Sequence, residues 1–296
     1  MSDSGSAPAH PILVTGALGN IGRLVVAGLV QEGRVVRAAD VNPQALNEAF
    51  GSPVEAVRFD FTDPASWPGA FTGVEVMFLM RPPQLSNIAR DMVPALEAAK
   101  AAGVAHVVLL SLQGAEGNKV VPHAKIEAWL RGSGLRWTFV RPSFFMENLS
   151  GTHASDIRDR DEILVPAGRG ATSFVAASDV ADVAVVALAD PERHVGRAWT
   201  PTGPQALTYE QVAETLTRVL GRTIVYARPG ALRYALHAKR VLGMPWAMVG
   251  VTTAIYTVAR LGRAGGLTDD VRTVTGHEPV AFADWAADHA DRWARP

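Results

Sequence analysis

The run Ile12–Gly22, ILVTGALGNIG, constrains this chain more than any other stretch. Three apolar residues lead into Gly16, Gly19 and Gly22, and a helix-period segment runs from Ile21 to Glu32. A short apolar strand that turns through glycine straight into a helix is the opening unit of a parallel α/β sheet. Gly16 permits the tight turn, Gly19 lets the backbone approach a ligand, and Gly22 lets the helix pack close to the strand. The helix N-terminus offers N–H groups and a partial positive charge, so the expected ligand is an anion such as a pyrophosphate. The first glycine gap is one residue longer than in G-x-G-x-x-G.

The same alternation continues. Val35–Ala39, Val54–Phe59, Val76–Leu79, His106–Leu110 and Trp137–Val140 are short and nearly all apolar, the pattern of strands buried on both faces. Helices are expected at Pro43–Phe50, Asn87–Ala102 and Pro122–Gly132, with Gly33, Gly103 and Gly134 as helix stops. This is a doubly wound parallel sheet of Rossmann type over residues 11–150. The rhythm changes near Ser150. Gly151–Gly170 has no sheet period, helices are expected at Ser178–Leu188, Thr208–Leu220 and Phe282–Ala294, and Thr223–Ala227 reads as a strand. Residues 151–296 are therefore expected to form a smaller, mostly helical substrate portion, partly packed back on the sheet domain.

Asp40 ends the second strand, 24 residues after Gly16. A carboxylate there can accept both hydroxyls of an adenosine ribose and would repel a 2′-phosphate. Neither Asn20 nor Val41 supplies a cation for that phosphate, so NAD is expected over NADP. Asp60, after the third strand, either meets the adenine edge or caps the turn before Pro64. With 296 residues, net charge −1 and no cysteine, nothing points to nucleic acid or an anionic membrane, and disulfides and thiolate chemistry are excluded. No H-E-x-x-H or G-x-S-x-G occurs, so neither a metal site nor an esterase is expected. Residues 1–10 are small and polar, which suits a disordered tail and not a secretory signal. Pro245–Ala259 is shorter than the about 20 residues a membrane span needs, so a buried or cap helix and a cytoplasmic location are expected.

With these residues in view, the chain resembles the NmrA-like group of atypical short-chain dehydrogenases/reductases. The resemblance rests on Thr15–Gly22, then on His123–Ala–Lys–Ile–Glu127, Leu130, Ser133–Gly134–Leu135, Trp137–Thr138, Arg141–Pro142, Phe144, Phe145 and Asn148. Asp179–Val180–Ala181, Thr202–Gly203–Pro204 and Thr275–Gly276 extend it. It implies a Rossmann domain, a nicotinamide dinucleotide and a small C-terminal substrate portion. Members include quinone, dye and isoflavone-type reductases, and also co-regulators that bind dinucleotide without evident turnover. Two readings follow: a reductase passing hydride between nicotinamide and a flat acceptor, or a binding protein that senses the redox state of the dinucleotide.

The cofactor surface implied takes Thr15, Gly16, Leu18, Gly19, Asn20, Ile21 and Gly22 from the loop, Asp40, Asp60 and Phe61 beside it, and Met80 and Pro142 at later strand ends. The Tyr-x-x-x-Lys relay of ordinary short-chain dehydrogenases is absent: Tyr209, Tyr226, Tyr234 and Tyr256 all lie late, and none has lysine four residues on. His123 and Glu127 stand at the matching place, on one helix face by their i, i+4 spacing. Either His123 donates the proton, with an ordinary pKa near 6.5, while Glu127 orients it or holds the nicotinamide ribose, or the two form a surface pair of small structural value. Ser111, at the end of the fifth strand, is either a nicotinamide or substrate contact or an ordinary turn residue. Phe144, Phe145 and Asn148 either wall the substrate pocket or belong to the core. Arg141 is expected to brace the sheet end.

Overall fold

The computed structural model describes residues 10–295. The expected tail lies outside the described residues except His10, whose Nδ1 lies 3.1 Å from the Gly73 carbonyl oxygen. The chain divides into two compact units. One takes the described residues up to Pro142 and again Val180–Thr200; the other takes Ser143–Asp179 and the chain from Pro201 on. The division expected at residue 150 therefore falls at 142, and a later segment returns to the first unit.

That first unit is built on β1 (Ile12–Thr15), β2 (Val36–Asp40), β3 (Glu55–Arg58), β4 (Val76–Met80), β5 (His106–Leu110) and β6 (Arg136–Val140). Their helices are α1 (Asn20–Gln31), α2 (Pro43–Phe50), α3 (Trp67–Phe71), α4 (Ile88–Asp91), α5 (Val93–Ala101) and α6 (Pro122–Ser133). The helix expected over Asn87–Ala102 is broken at Met92 (φ −120°), because Pro94 in the next first turn has no N–H to continue the ladder. The sheet is parallel throughout, ordered β10-β6-β5-β4-β1-β2-β3, where β10 (Arg197–Trp199) joins beside β6. Strand β10 is only three residues and mostly exposed, so no apolar run announced it. The chain winds from β1 outward to β3 and then sets β4 on the other side of β1. The carboxyl ends of β1 and β4 thus form the topological switch point where ligands of such sheets bind.

The second unit holds β7 (Phe144–Phe145), α7 (Glu147–Ser150), α8 (Ala154–Arg160), β8 (Glu162–Ile163), β9 (Ala171–Val175), β11 (Ala206–Thr208), α11 (Tyr209–Leu220) and β12 (Val225–Tyr226). Helix α9 (Ala177–Ala189) carries the chain into the first unit, where α10 (Pro191–His194) follows. Late helices are α12 (Ala231–Arg240), α13 (Trp246–Arg260), α14 (Asp270–Thr275) and α15 (Phe282–Asp288). Thr208 caps α11 in a reciprocal box with Gln211. Strand β9 pairs antiparallel with β11 and parallel with β7, and β8 pairs with β12, so the unit carries two small sheets; β12 falls within the strand expected at Thr223–Ala227, and the other strands were not announced. Its core is aromatic: Phe174, Tyr209, Tyr234 and Trp293 are at most 1 % exposed. No described helix is long and apolar enough to cross a membrane.

Candidate functional site

Gly16 adopts φ +62°, open to glycine at little cost, and a Cβ on it would lie 2.1 Å from Met80 Cε. Gly19 is the N-cap of α1; a Cβ there would lie 3.0 Å from Met80 Cε and 3.2 Å from the Gly16 carbonyl oxygen. Gly22 packs the helix onto the loop so closely that a Cβ would sit 2.2 Å from that same oxygen. No side chain caps the first turn of α1 and no acid stands in it. An uncapped helix start behind a loop with no room for side chains fits a pyrophosphate. Asn20 is exposed at this end, and Met80 lies over the glycines.

Two loop residues play other parts than expected. The Thr15 side chain is fully buried; its hydroxyl donates to the Phe78 carbonyl (3.0 Å) and accepts from the Met80 N–H (3.0 Å), tying β1 to β4. Ile21 is 5 % exposed and faces the core, so only its backbone is available to a ligand.

Asp40 stands at the end of β2. Its carboxylate accepts from the Leu18 N–H (3.3 Å) and the Val41 N–H (2.8 Å), which fixes it beside the glycine loop. Asp60 caps the turn before Pro64, accepting from the Thr62 N–H (2.8 Å) and hydroxyl (2.7 Å). Phe61 is buried edge-on against Phe59, with centroids 4.7 Å apart, and is core. The sequence reading missed Arg58. Strand register places it beside Asp40, where only the sheet pairing could reveal it, and its guanidinium is held by Asp63 at 2.6 Å.

Of the three expected catalytic residues, Ser111 and Glu127 are joined by a hydrogen bond, and the charge of Glu127 also reaches His123. Glu127 is 1 % exposed. It accepts from Ser111 Oγ (2.7 Å), from Arg141 Nε (2.9 Å) and Nη2 (2.7 Å), and from Arg131 Nη2 (3.2 Å). Burial pushes its carboxyl up, but the hydrogen bonds from Arg141 and Ser111 and the charges of Arg141 and Arg131 hold it below its ordinary value. Glu127 therefore neither orients His123 nor sits on the surface: it is the buried anchor of a brace. Ser111 donates into the same brace. Arg141 does secure the sheet end, as expected, with Glu116 as a further partner at 3.0 Å.

His123 stands at the start of α6, with a buried and unpartnered Nδ1. Burial pushes it down to about 4, the Arg81 cation adds to this, and Glu127 opposes it. The expected titration near 6.5 is therefore lost, and at neutral pH His123 is a neutral imidazole. Arg81, which no motif flagged, follows β4 and binds the carbonyls of Pro82, Pro83 and Leu85 at 2.9–3.0 Å through Nη1; its Nε has no partner.

Pro142 is buried, and its carbonyl accepts from the Gln113 N–H (3.0 Å). In the second unit, Phe144 and Asn148 line a cavity of about 110 Å³ with Thr152, His153, Thr252, Ile255 and Tyr256. Phe145 is half-buried beside Val175 on β9 and does not line it. His153 Nε2 lies 2.5 Å from Tyr256 Oη.

The sequence model of the NmrA-like family matches residues 8–246. The chain is 35% identical over 287 residues to the NAD(P)H azoreductase of Xenophilus azovorans, covering 94% of this chain and 98% of the relative. It is 35% identical over 290 residues to the (4-alkanoyl-5-oxo-2,5-dihydrofuran-3-yl)methyl phosphate reductase of Streptomyces griseus, covering 96% and 99%. Its fold matches the NADPH-dependent quinone oxidoreductase of Escherichia coli, solved with NADPH, at a TM-score of 0.86 and 24% identity, covering 95% and 99%.

Proposed function

The chain belongs to the NmrA-like family, and from that premise we propose that it is a nicotinamide-dependent oxidoreductase that reduces flat organic acceptors such as quinones, dyes or conjugated carbonyls. The observation that carries this reading is the cradle at the β1–β4 switch point, where side chains are excluded at Gly16 and Gly22 and α1 starts uncapped. The nicotinamide would supply the hydride. Gly16, Gly19 and the first turn of α1 hold the pyrophosphate, and Asp40 accepts the adenosine ribose hydroxyls. Asp40 also favours NAD(H) over NADP(H): Arg58, the nearby cation, is committed to Asp63.

His123 is proposed as a neutral N–H donor that stabilises the oxygen gaining charge in a carbonyl acceptor, and the alkoxide left by hydride addition takes its proton from water. A flat acceptor that becomes a weak base needs less such help, which accommodates the missing tyrosine relay. The test is NADH and NADPH oxidation across menadione, an azo dye and a triarylmethane dye. Turnover of at least one class, with lower KM for NADH, supports the reading. Tight NADH binding with no oxidation anywhere in the panel would move the protein to the sensor class.

A further inference from the structure

We infer that the cavity between β7, α7 and α13 is the acceptor-binding pocket, and that Tyr256, oriented by His153, anchors a carbonyl or azo group in it by a hydrogen bond. The inference rests on the reductase reading and goes beyond it in naming the residues and the acceptor chemistry. Phe144 supplies one flat apolar wall, and Thr252, Ile255 and Tyr256 come from one face of α13 at i, i+3 and i+4. At about 110 Å³ the cavity is smaller than the about 150 Å³ apolar cavity that takes benzene whole, so it would seat only the edge of a flat ring system whose remainder extends past the rim. Ile255, 45 % exposed, marks the rim.

The polar end is built from buried groups. His153 is 1 % and Tyr256 3 % exposed, and they share one hydrogen bond. The His153 Nδ1 is buried without a partner. Either tautomer leaves one buried donor without an acceptor, the Nδ1–H of His153 or the O–H of Tyr256, and of these two residues' donors we assign the unmet one to Tyr256, which lines the cavity where a guest acceptor can reach it. With the proton on Nε2, His153 donates to Tyr256 Oη, and the tyrosine O–H is left to donate to a guest. Rings of Phe144 (5.7 Å), Tyr234 (5.5 Å) and Tyr209 (6.1 Å) hold the Tyr256 ring in place. Burial pushes His153 down to about 4 and Tyr256 up, so both are neutral at neutral pH. A neutral donor beside an aromatic wall suits flat molecules and adds a hydrogen bond for those that carry an acceptor atom.

The experiment compares wild type, Tyr256→Phe and Ile255→Trp with menadione, which offers carbonyl oxygens, and with a triarylmethane dye cation, which accepts hydride at carbon. Tyr256→Phe should raise KM for menadione about five- to tenfold, the worth of one hydrogen bond, and leave the dye within about twofold. Ile255→Trp, at the exposed rim, should raise KM for both about tenfold or more by filling the cavity. NADH affinity should stay at the wild-type value in both variants. Menadione KM unchanged in Tyr256→Phe, or equal losses for the two acceptors, overturns the anchor; unchanged KM in Ile255→Trp overturns the pocket. Calorimetric titration of menadione into the protein–NAD mixture gives the same comparison without turnover. Failure of the reductase reading alone would therefore show as absent oxidation with menadione binding still weakened by both variants.

Discussion

Glu127→Gln separates a structural role from a chemical one at the position that the missing tyrosine relay points to. The wild-type carboxylate receives four hydrogen bonds, two of them from Arg141, which is 8 % exposed. The amide keeps the shape but removes the charge and turns an NH₂ toward a guanidinium or a hydroxyl. Breaking a buried pair costs about 3–5 kcal/mol when the remaining charge has no other partner. Here Arg141 retains Glu116, and the Arg131 side chain is 44 % exposed, so the loss should be about 2–3 kcal/mol. At roughly 2–4 °C per kcal/mol for a chain of this size, Tm should fall by about 4–12 °C. The folded carboxyl lies below its unfolded value, so its stabilisation is present above the unfolded pKa and is lost as pH falls through the folded one. The wild-type advantage should therefore hold from pH 8 to about 5 and shrink at lower pH. Urea unfolding at several pH values gives the difference, and NADH titration should show unchanged affinity. Stability within about 0.5 kcal/mol of wild type, together with lost NADH binding or turnover, would refute the brace and return Glu127 to the chemistry.

Gly19→Val should abolish NADH binding in a folded protein, because a branched side chain would crowd Met80 and the Gly16 carbonyl and occupy the space proposed for the pyrophosphate; fluorescence titration reads it. A carboxylate about 4 Å from a 2′-phosphate costs about 4 kcal/mol per charge pair at intermediate dielectric, and after screening about a hundredfold preference for NADH should remain. Asp40→Ser with Val41→Arg should reverse it, and Asp63→Ala should raise NADPH affinity by freeing Arg58; equal wild-type affinities would defeat the argument. His123→Phe should leave NADH affinity intact and slow carbonyl reduction about 10²- to 10³-fold; the wild-type carbonyl rate should show no loss as pH rises through 6.5, since His123 is already neutral there. His106 and His153 are held neutral by burial, with folded values of about 4 below the unfolded one, so stability should fall as pH drops from 6.5 toward 4, by on the order of 3 kcal/mol for His153, in calorimetric melts.

What the sequence disclosed follows from where the physics is local. Strand β5, His106–Leu110, falls where its apolar run puts it, and helix α2 spans the expected Pro43–Phe50, where the Asn42 side chain accepts from the Ala45 N–H and Pro43 opens the first turn. The glycine loop was legible because positive φ and the absence of a Cβ are properties of single residues. Strand β10 was not, because its three residues owe their place to β6, a partner far away in sequence. The site residues divide the same way. Asp40 could be placed from the strand end alone, whereas Arg58 needed the β2–β3 register. Glu127 read as a partner for His123 because both lie on one helix face, yet Arg141 and Ser111 from neighbouring strand ends claim its carboxylate. Tyr256 gave no signal, since no residue within reach in sequence resembles a relay; His153 lies 103 positions away.

The central claim is hydride transfer from the nicotinamide, and deuterium tests it most directly. Protein, NADH deuterated at C4 on one face, and a triarylmethane dye cation are mixed without oxygen, and the leuco product is isolated for mass spectrometry. The account predicts deuterium at the central carbon from one of the two C4 faces only, with NADH consumed in step with dye. Unlabelled product from both stereoisomers, or tight NADH binding with no dye reduced and no other acceptor consumed, would contradict it.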